Sequence, residues 1–383
     1  MPSGNSHVAD SLGNPLTLDD DASLPLVDDF VMSFISTEAR AVNLLALAEA
    51  DASPIVQAYC ATLHLFAESR EAAANARPFL TKARTGAART TPREQRYIAA
   101  IEAWADGDIA RAIALHAEQA REYPRDLVSV KLGQYHCFNT GDCPGMLRLA
   151  LAVLPATADV PYVHGMTAFG YEQCHLMREA EASARRAISM CRKEPWAHHA
   201  LAHVMLTEGR LAEGLAFMES VSDTWTGLNS FMVTHNWWHV ALFLIDLGRD
   251  AEALAVYDEH AWGVVKDYSQ DQIGAVSLLA RLESWQASMS VRAGTMWRAT
   301  CCSGRPTMCC PSWICSTSTG LRAPDGPRPT CCCATLRPLH PGRRLRRAPH
   351  GSACACRPRT GSWPMHAATS PRPSKDWASP CRA

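Results

Sequence analysis

Residues 98–124 read IAAIEAWADGDIARAIALHAEQAREYP. On either side of Gly107-Asp108 the apolar residues recur three and four apart, the spacing of one stripe along a helix. Glycine ends helices in the left-handed backbone region, aspartate opens them by accepting from free N–H groups, and proline stops them. The stretch is therefore helix, two-residue turn, helix, closed by Pro124.

Tight turns recur at Gly141-Asp142, His175-Leu176, Gly209-Arg210 and Gly248-Arg249, at intervals of 34, 34, 34 and 39 residues. Five residues after each turn stand Ala112, Met146, Ala180, Gly214 and Ala253; seven before it stand Ala100, Gln134, Ala168, Ala202 and Ala241. Small side chains at these two places let the helices of a hairpin cross closely. Met146 and Gln134 break the rule, so the second hairpin should be the least regular. Pro161 and Pro195 open later hairpins at the first turn, where proline is tolerated. A unit of this length and pattern is the tetratricopeptide signature, and stacked units bury together what none can bury alone, leaving a concave groove. The expected fold is all-α: an α–α superhelix of tetratricopeptide-type hairpins over residues 28–283, followed by a disordered tail. Upstream, 28–51, 53–69 and 71–84 have helical spacing without the small-residue signature and read as degenerate hairpins capping the array. The polar segment 1–27 is expected to be disordered.

The stretch Trp196–Trp225, WAHHALAHVMLTEGRLAEGLAFMESVSDTW, followed by Thr234–His260, THNWWHVALFLIDLGRDAEALAVYDEH, resembles the tetratricopeptide repeat protein 38 family. PYVHGMTAFGYEQCHLMREAEA fits the preceding repeat, and the resemblance covers roughly residues 28–283. It implies a cytoplasmic helical-repeat protein without an established catalytic activity, and so speaks to fold more than to function.

Charge divides the chain. Residues 1–283 hold 22 Lys+Arg and 36 Asp+Glu, a balance of −14, whereas 284–383 hold 15 and 2, a balance of +13. Of 16 cysteines, 11 follow residue 283. That tail has six Val, Ile, Leu or Phe in all, too few to offset chain entropy. Its Cys301-Cys302, Cys309-Cys310 and Cys331-Cys332-Cys333 runs lack paired Cys-x-x-Cys zinc spacing. Arg343-Arg344-Leu345-Arg346-Arg347 could touch phosphate, but nucleic acid is not the expected partner. Cysteine runs arise when GC-rich leucine codons are read one base late. Back-translating from the third base of codon 320, one choice of synonymous codons gives LARAGRAEADVLLRHAA, a helix–turn–helix in the style of the upstream repeats. The segment 284–383 is accordingly read as low-complexity and out of frame. No stretch reaches 18 apolar residues, so no membrane span is expected. The five earlier cysteines, each alone in a helical pattern, are expected to be reduced and packed.

No phosphate loop, dinucleotide fingerprint or nucleophile elbow occurs. Histidine pairs are the residues with chemical flavour: His199 and His203, and His235 and His239, each i and i+4 on one helix face. That spacing can clamp a metal, but neither pair encloses the glutamate of His-Glu-x-x-His, and packed histidines are the plainer expectation. Counting back from each turn, the positions facing the groove are Tyr97, Lys131, Tyr135, Tyr162, Phe169, Trp196, His199, His203, His235 and Trp238. Only Lys131 resembles a carboxylate clamp. The expected function is a non-enzymatic scaffold holding a peptide or protein partner against these aromatic anchors, with no cofactor. The alternative is a metal or small-molecule site at His199, His203, His235 and His239, with enzymatic activity a further option.

Overall fold

The computed structural model describes residues 8–262 and 264–285. They lie within the first of the chain's two units, Met1–Pro311; residues 312–383 are outside the described residues. A short hairpin, β1 (Val8–Ala9) with β2 (Pro15–Leu16), precedes α1 (Leu24–Ser36). After a left-handed Thr37 (φ 65°) comes a 3₁₀ helix, Ala39–Leu47.

Six helical hairpins follow: α2 (Pro54–Phe66) with α3 (Ala72–Gly86), α4 (Pro92–Ala105) with α5 (Ile109–Glu122), and α6 (Leu127–Thr140) with α7 (Cys143–Thr157). Then come α8 (Pro161–Gln173) with α9 (Met177–Met190), α10 (Pro195–Thr207) with α11 (Leu211–Val221), and α12 (Ser230–Asp246) with α13 (Asp250–Val256). A single helix, α14 (Ser269–Trp285), ends the described residues and packs on α12. This is an all-α array of tetratricopeptide-type hairpins.

The turn chemistry is as its residues dictate. Gly107, Gly141, Gly209 and Gly248 have φ between 72° and 78°, and the carboxylates of Asp108 and Asp142 accept from Arg111 and Gly145 amides. His175 occupies the equivalent place at φ 58° without glycine's freedom. The crossing positions are closed: a Cβ on Gly214 would come within 2.2 Å of the Phe243 ring. The two exceptions meet each other, since Gln134 Nε2 donates to the Met146 carbonyl at 3.0 Å. Gly133 takes over as the small residue there, against His116 and Leu149.

The expectation of disorder over 1–27 is corrected for residues 8–27. Asp10 accepts from the amides of Leu12 and Asn14, and Asn14 Nδ2 donates to the Arg125 carbonyl. Thr17 gives Glu94 both its amide and hydroxyl protons at 2.8 Å. Arg93 donates to the Pro15 carbonyl while paired with Asp126 at 2.8 Å, both side chains buried. The segment is polar because it is held by polar partners 77 to 113 residues away, and composition cannot see such partners.

A second correction concerns α14. The sequence leaves its face Ile273, Val276, Leu279 and Leu282 without a following helix and so predicts it bare; Ile273 and Leu279 are instead buried, with α12 packed alongside, while Val276 and Leu282 are half-buried. Residues from 286 onward, and with them the expectation of an unfolded out-of-frame tail, lie outside the described residues.

Candidate functional site

The first helices of successive hairpins pack side by side, α2 on α4, α8 on α10 and α10 on α12, and they carry the positions that the repeat register assigns to the inner face. The chain's own N-terminal part crosses that face. The Lys131 ammonium on α6 donates to the carbonyls of Phe34 and Ile35 and to Thr37 Oγ1, at 2.9 to 3.0 Å. It thereby caps the C-terminus of α1, where the Phe34 carbonyl also accepts from the Thr37 N–H. Burial pushes its pKa down to about 7. Trp196 Nε1 donates to the same Thr37 hydroxyl at 2.8 Å. Beyond it, Ala39 N donates to Gly227 O and Asn229 N to Thr37 O, both at 2.9 Å, tying residues 37–39 to the approach to α12. A second tie joins the ends of the array: Tyr268 donates to the Phe66 carbonyl and Gln270 to Glu68.

The groove residues read from sequence therefore have different fates. Tyr97 is corrected: it is fully buried, its hydroxyl 2.8 Å from Thr62 and its ring against Tyr59. The degenerate hairpin α2–α3 covers the α4 face that would otherwise be groove. Lys131 and Trp196 face inward but are engaged by residues 34–37. Tyr135 donates to Glu68 at 2.7 Å and packs at a tilt against Phe66. Tyr162 is half-buried, and burial raises its pKa to about 12. Phe169 packs between Trp196 and His199, with centroids 5.2 Å from each.

His199 and His203 on α10 meet His235 and His239 on α12. The Nε2 atoms of His199 and His235 are 3.0 Å apart, those of His203 and His239 3.1 Å, and those of His235 and His239 3.3 Å. One ring nitrogen from each of the four falls within 4.8 Å of all the others. His199 and His239 are buried, His203 and His235 half-buried. Desolvation drives His199 and His239 well below the usual imidazole range and His235 to about 3, with neighbouring histidines adding to the shift. These three rings are therefore neutral near pH 7, and each has one lone pair and one N–H. Trp238 lies flat against His235, 5.5 Å between centroids and 8° between planes. The Arg281 guanidinium of α14 sits 5.0 Å above Trp238.

Three participants had no signal in the sequence. Glu172, buried at the end of α8, accepts from His203 Nδ1 at 3.0 Å. Glu68 and Thr37 come from the part of the chain before the regular repeats. None of them sits at a position that the 34-residue register marks.

No protein-family model matches the chain. Among solved structures it is similar to a thermophilic TPR protein of Thermus thermophilus, at 14% identity and TM-score 0.41, covering 49% of this chain and 99% of that one. It is also similar to a tetratricopeptide repeat protein of Parabacteroides merdae, at 13% identity and TM-score 0.41, covering 61% and 93%. Among the described residues no helix is long and apolar enough to cross a membrane.

Proposed function

We propose that this chain is a binding scaffold that takes a compact ligand at the histidine-lined part of its inner face, between α10 and α12, rather than a long peptide laid along the groove. Helical-repeat arrays serve generally as interaction surfaces, and their concave side is the usual place. The observation that carries the narrower reading is the occupation of this concave side. Residues 34–39 cross it from α6 to the start of α12, with backbone and side-chain hydrogen bonds to Lys131, Trp196, Gly227 and Asn229. An extended peptide would have to displace them. The four imidazoles stand on the remaining stretch, with Phe169 and Trp238 beside them as apolar walls.

Two arms test this. Native and denaturing mass spectrometry of protein purified without an affinity tag should differ by a small mass, and the difference should vanish in His203→Ala. Extended peptides selected from a displayed library should show no capture that depends on both Tyr135 and Trp238. A peptide whose binding is lost in Tyr135→Ala and in Trp238→Ala would overturn the reading and restore the open-groove scaffold. The resemblance to the tetratricopeptide repeat protein 38 family belongs to the same proposal. It is supported by the string THNWWH on α12, which contributes His235, Trp238 and His239. So does the out-of-frame reading of 284–383, supported by the charge and cysteine divide at that boundary.

A further inference from the structure

The contacts among the four imidazoles pose a problem in proton counting. An imidazole nitrogen has one in-plane direction, which is either an N–H or a lone pair, so it enters one good hydrogen bond. The Nε2 atoms form a chain of three close contacts, His199 to His235, His235 to His239, and His239 to His203. His235 and His239 each take part in two of them. Protons can therefore satisfy at most two of the three. His203 is constrained further: its Nδ1 faces the Glu172 carboxylate at 3.0 Å, which places an N–H there, so a neutral ring would present its lone pair at Nε2.

A central cation removes the difficulty, because it accepts one lone pair from each nitrogen at once. Zinc–imidazole bonds are about 2.0–2.1 Å, so the edges of a tetrahedral four-nitrogen site are about 3.3–3.4 Å. Three of the six edges here are 3.0, 3.1 and 3.3 Å, close to that value, and all four donor nitrogens fall within 4.8 Å of one another. The donors come as two i, i+4 pairs on packed helices, a backbone rigid enough to hold a tetrahedron. We infer that His199, His203, His235 and His239 form a binding site for a divalent transition-metal ion of the zinc class, coordinated through four Nε2 atoms, with Glu172 fixing the tautomer of His203. This rests on the compact-ligand reading above and names the ligand. All-imidazole donation suits zinc, cobalt, nickel or copper and not magnesium or calcium, which take oxygen. Four protein donors leave no open position in a tetrahedral site, so the ion would hold α10 to α12.

The test is metal titration of the full chain after dialysis against chelator, first with Zn²⁺ by calorimetry and then with Co²⁺ by visible absorption. One equivalent of zinc should bind with sub-micromolar affinity, and cobalt should give the strong d–d absorption of a tetrahedral nitrogen site without a thiolate charge-transfer band. The latter matters because 11 cysteines follow residue 283. His235→Ala and His203→Gln should each abolish the cobalt signal. Glu172→Gln should weaken zinc binding by about 10–100-fold, the usual effect of losing such an orienting carboxylate. His175→Ala, outside the cluster, should change nothing. Circular dichroism confirms folding of each variant, and His203→Gln, at a half-buried position, serves where His235→Ala unfolds. No bound equivalent, a weak octahedral cobalt spectrum, or binding that survives both histidine substitutions overturns the metal site. Failure of the compact-ligand reading would instead show as peptide capture dependent on Tyr135 and Trp238, which this titration does not read.

Discussion

Acidification from pH 7.5 to 5.5 should destabilise the array through histidines that the fold buries neutral. His116 is fully buried, its Nδ1 2.7 Å from Ser129 Oγ, its Nε2 without a partner, and its pKa lowered to about 3 by desolvation and by His136. His136 lies 5.7 Å away, ring to ring, lowered to about 4 by burial. His198 accepts from Trp225 Nε1 at 3.1 Å, an arrangement possible only with Nδ1 unprotonated, and burial puts it at about 4. In the unfolded chain each titrates near 6.5. Between that value and the folded value the unfolded state binds more protons, so stability falls as pH falls. At pH 5.5 the loss is about 1.4 kcal/mol per imidazole, about 4 kcal/mol for the three, against a total of about 5–15 kcal/mol for a typical domain. Glu194, raised to about 7 by burial, acts in the opposite sense, since it binds a proton in the folded state first. Lys131, lowered to about 7, adds a smaller loss in the same direction as the histidines. Urea titrations followed by circular dichroism at pH 7.5, 6.5 and 5.5 would read the trend, with chelator present so that a bound ion does not hold the inner-face rings neutral. A midpoint that stays level or rises on acidification would refute the assignment of these rings as neutral in the folded state.

Three other outcomes are expected. Asp126→Ala strands the buried Arg93 guanidinium and removes an acceptor for Gln119, and should cost about 3–5 kcal/mol in urea unfolding; a loss below about 1 kcal/mol would show the pair to be solvated. His175→Gly relieves a left-handed backbone at φ 58° and should stabilise by about 1 kcal/mol, read as a higher unfolding midpoint. In the encoding DNA, reading from the third base of codon 284 should give an open frame with further helical hairpins. A stop within the first few dozen codons of that frame would end the out-of-frame proposal.

The hairpins were legible because their signals are local. The Gly-Asp turns, the opening prolines and the small crossing residues each act within a few positions, and a 34-residue period repeats them. What crosses the inner face was not legible, because its partners are distant. Thr37 is 159 residues from Trp196 and Glu68 is 67 from Tyr135. The same limit misplaced residues 8–27: Asp10, Asn14 and Thr17 look like solvated loop until Glu94 and Arg125 are brought beside them. Tyr97 failed for a related reason. Its register position is sound for a repeat with an open inner neighbour, but α2 fills that space.

The histidine cluster follows from the way neighbouring first helices pair. Counting back from the turns, His199 of α10 corresponds to Trp238 of α12, and His203 to Leu242. Neighbouring first helices do not meet at equivalent positions even where the turn interval is 34: Trp104 packs on Tyr135, Phe138 on Phe169 and Phe169 on His199, three or four residues out of register. The last turn interval is 39 residues rather than 34, and α12 has 17 residues where α10 has 13, extended at its N-terminal end. Docking of residues 37–39 against 227–229 pins the start of this longer helix. α10 and α12 keep the same three-residue offset across the 39-residue interval, which brings His199 to His235 and His203 to His239, each 36 residues apart. The N-terminal strap holds both helices of the cluster, α10 through Trp196 and the start of α12 through Asn229. Loosening the strap, as in Thr37→Ala, which removes the hydroxyl shared by Lys131 and Trp196, should disturb the cluster even though residue 37 touches none of its four rings.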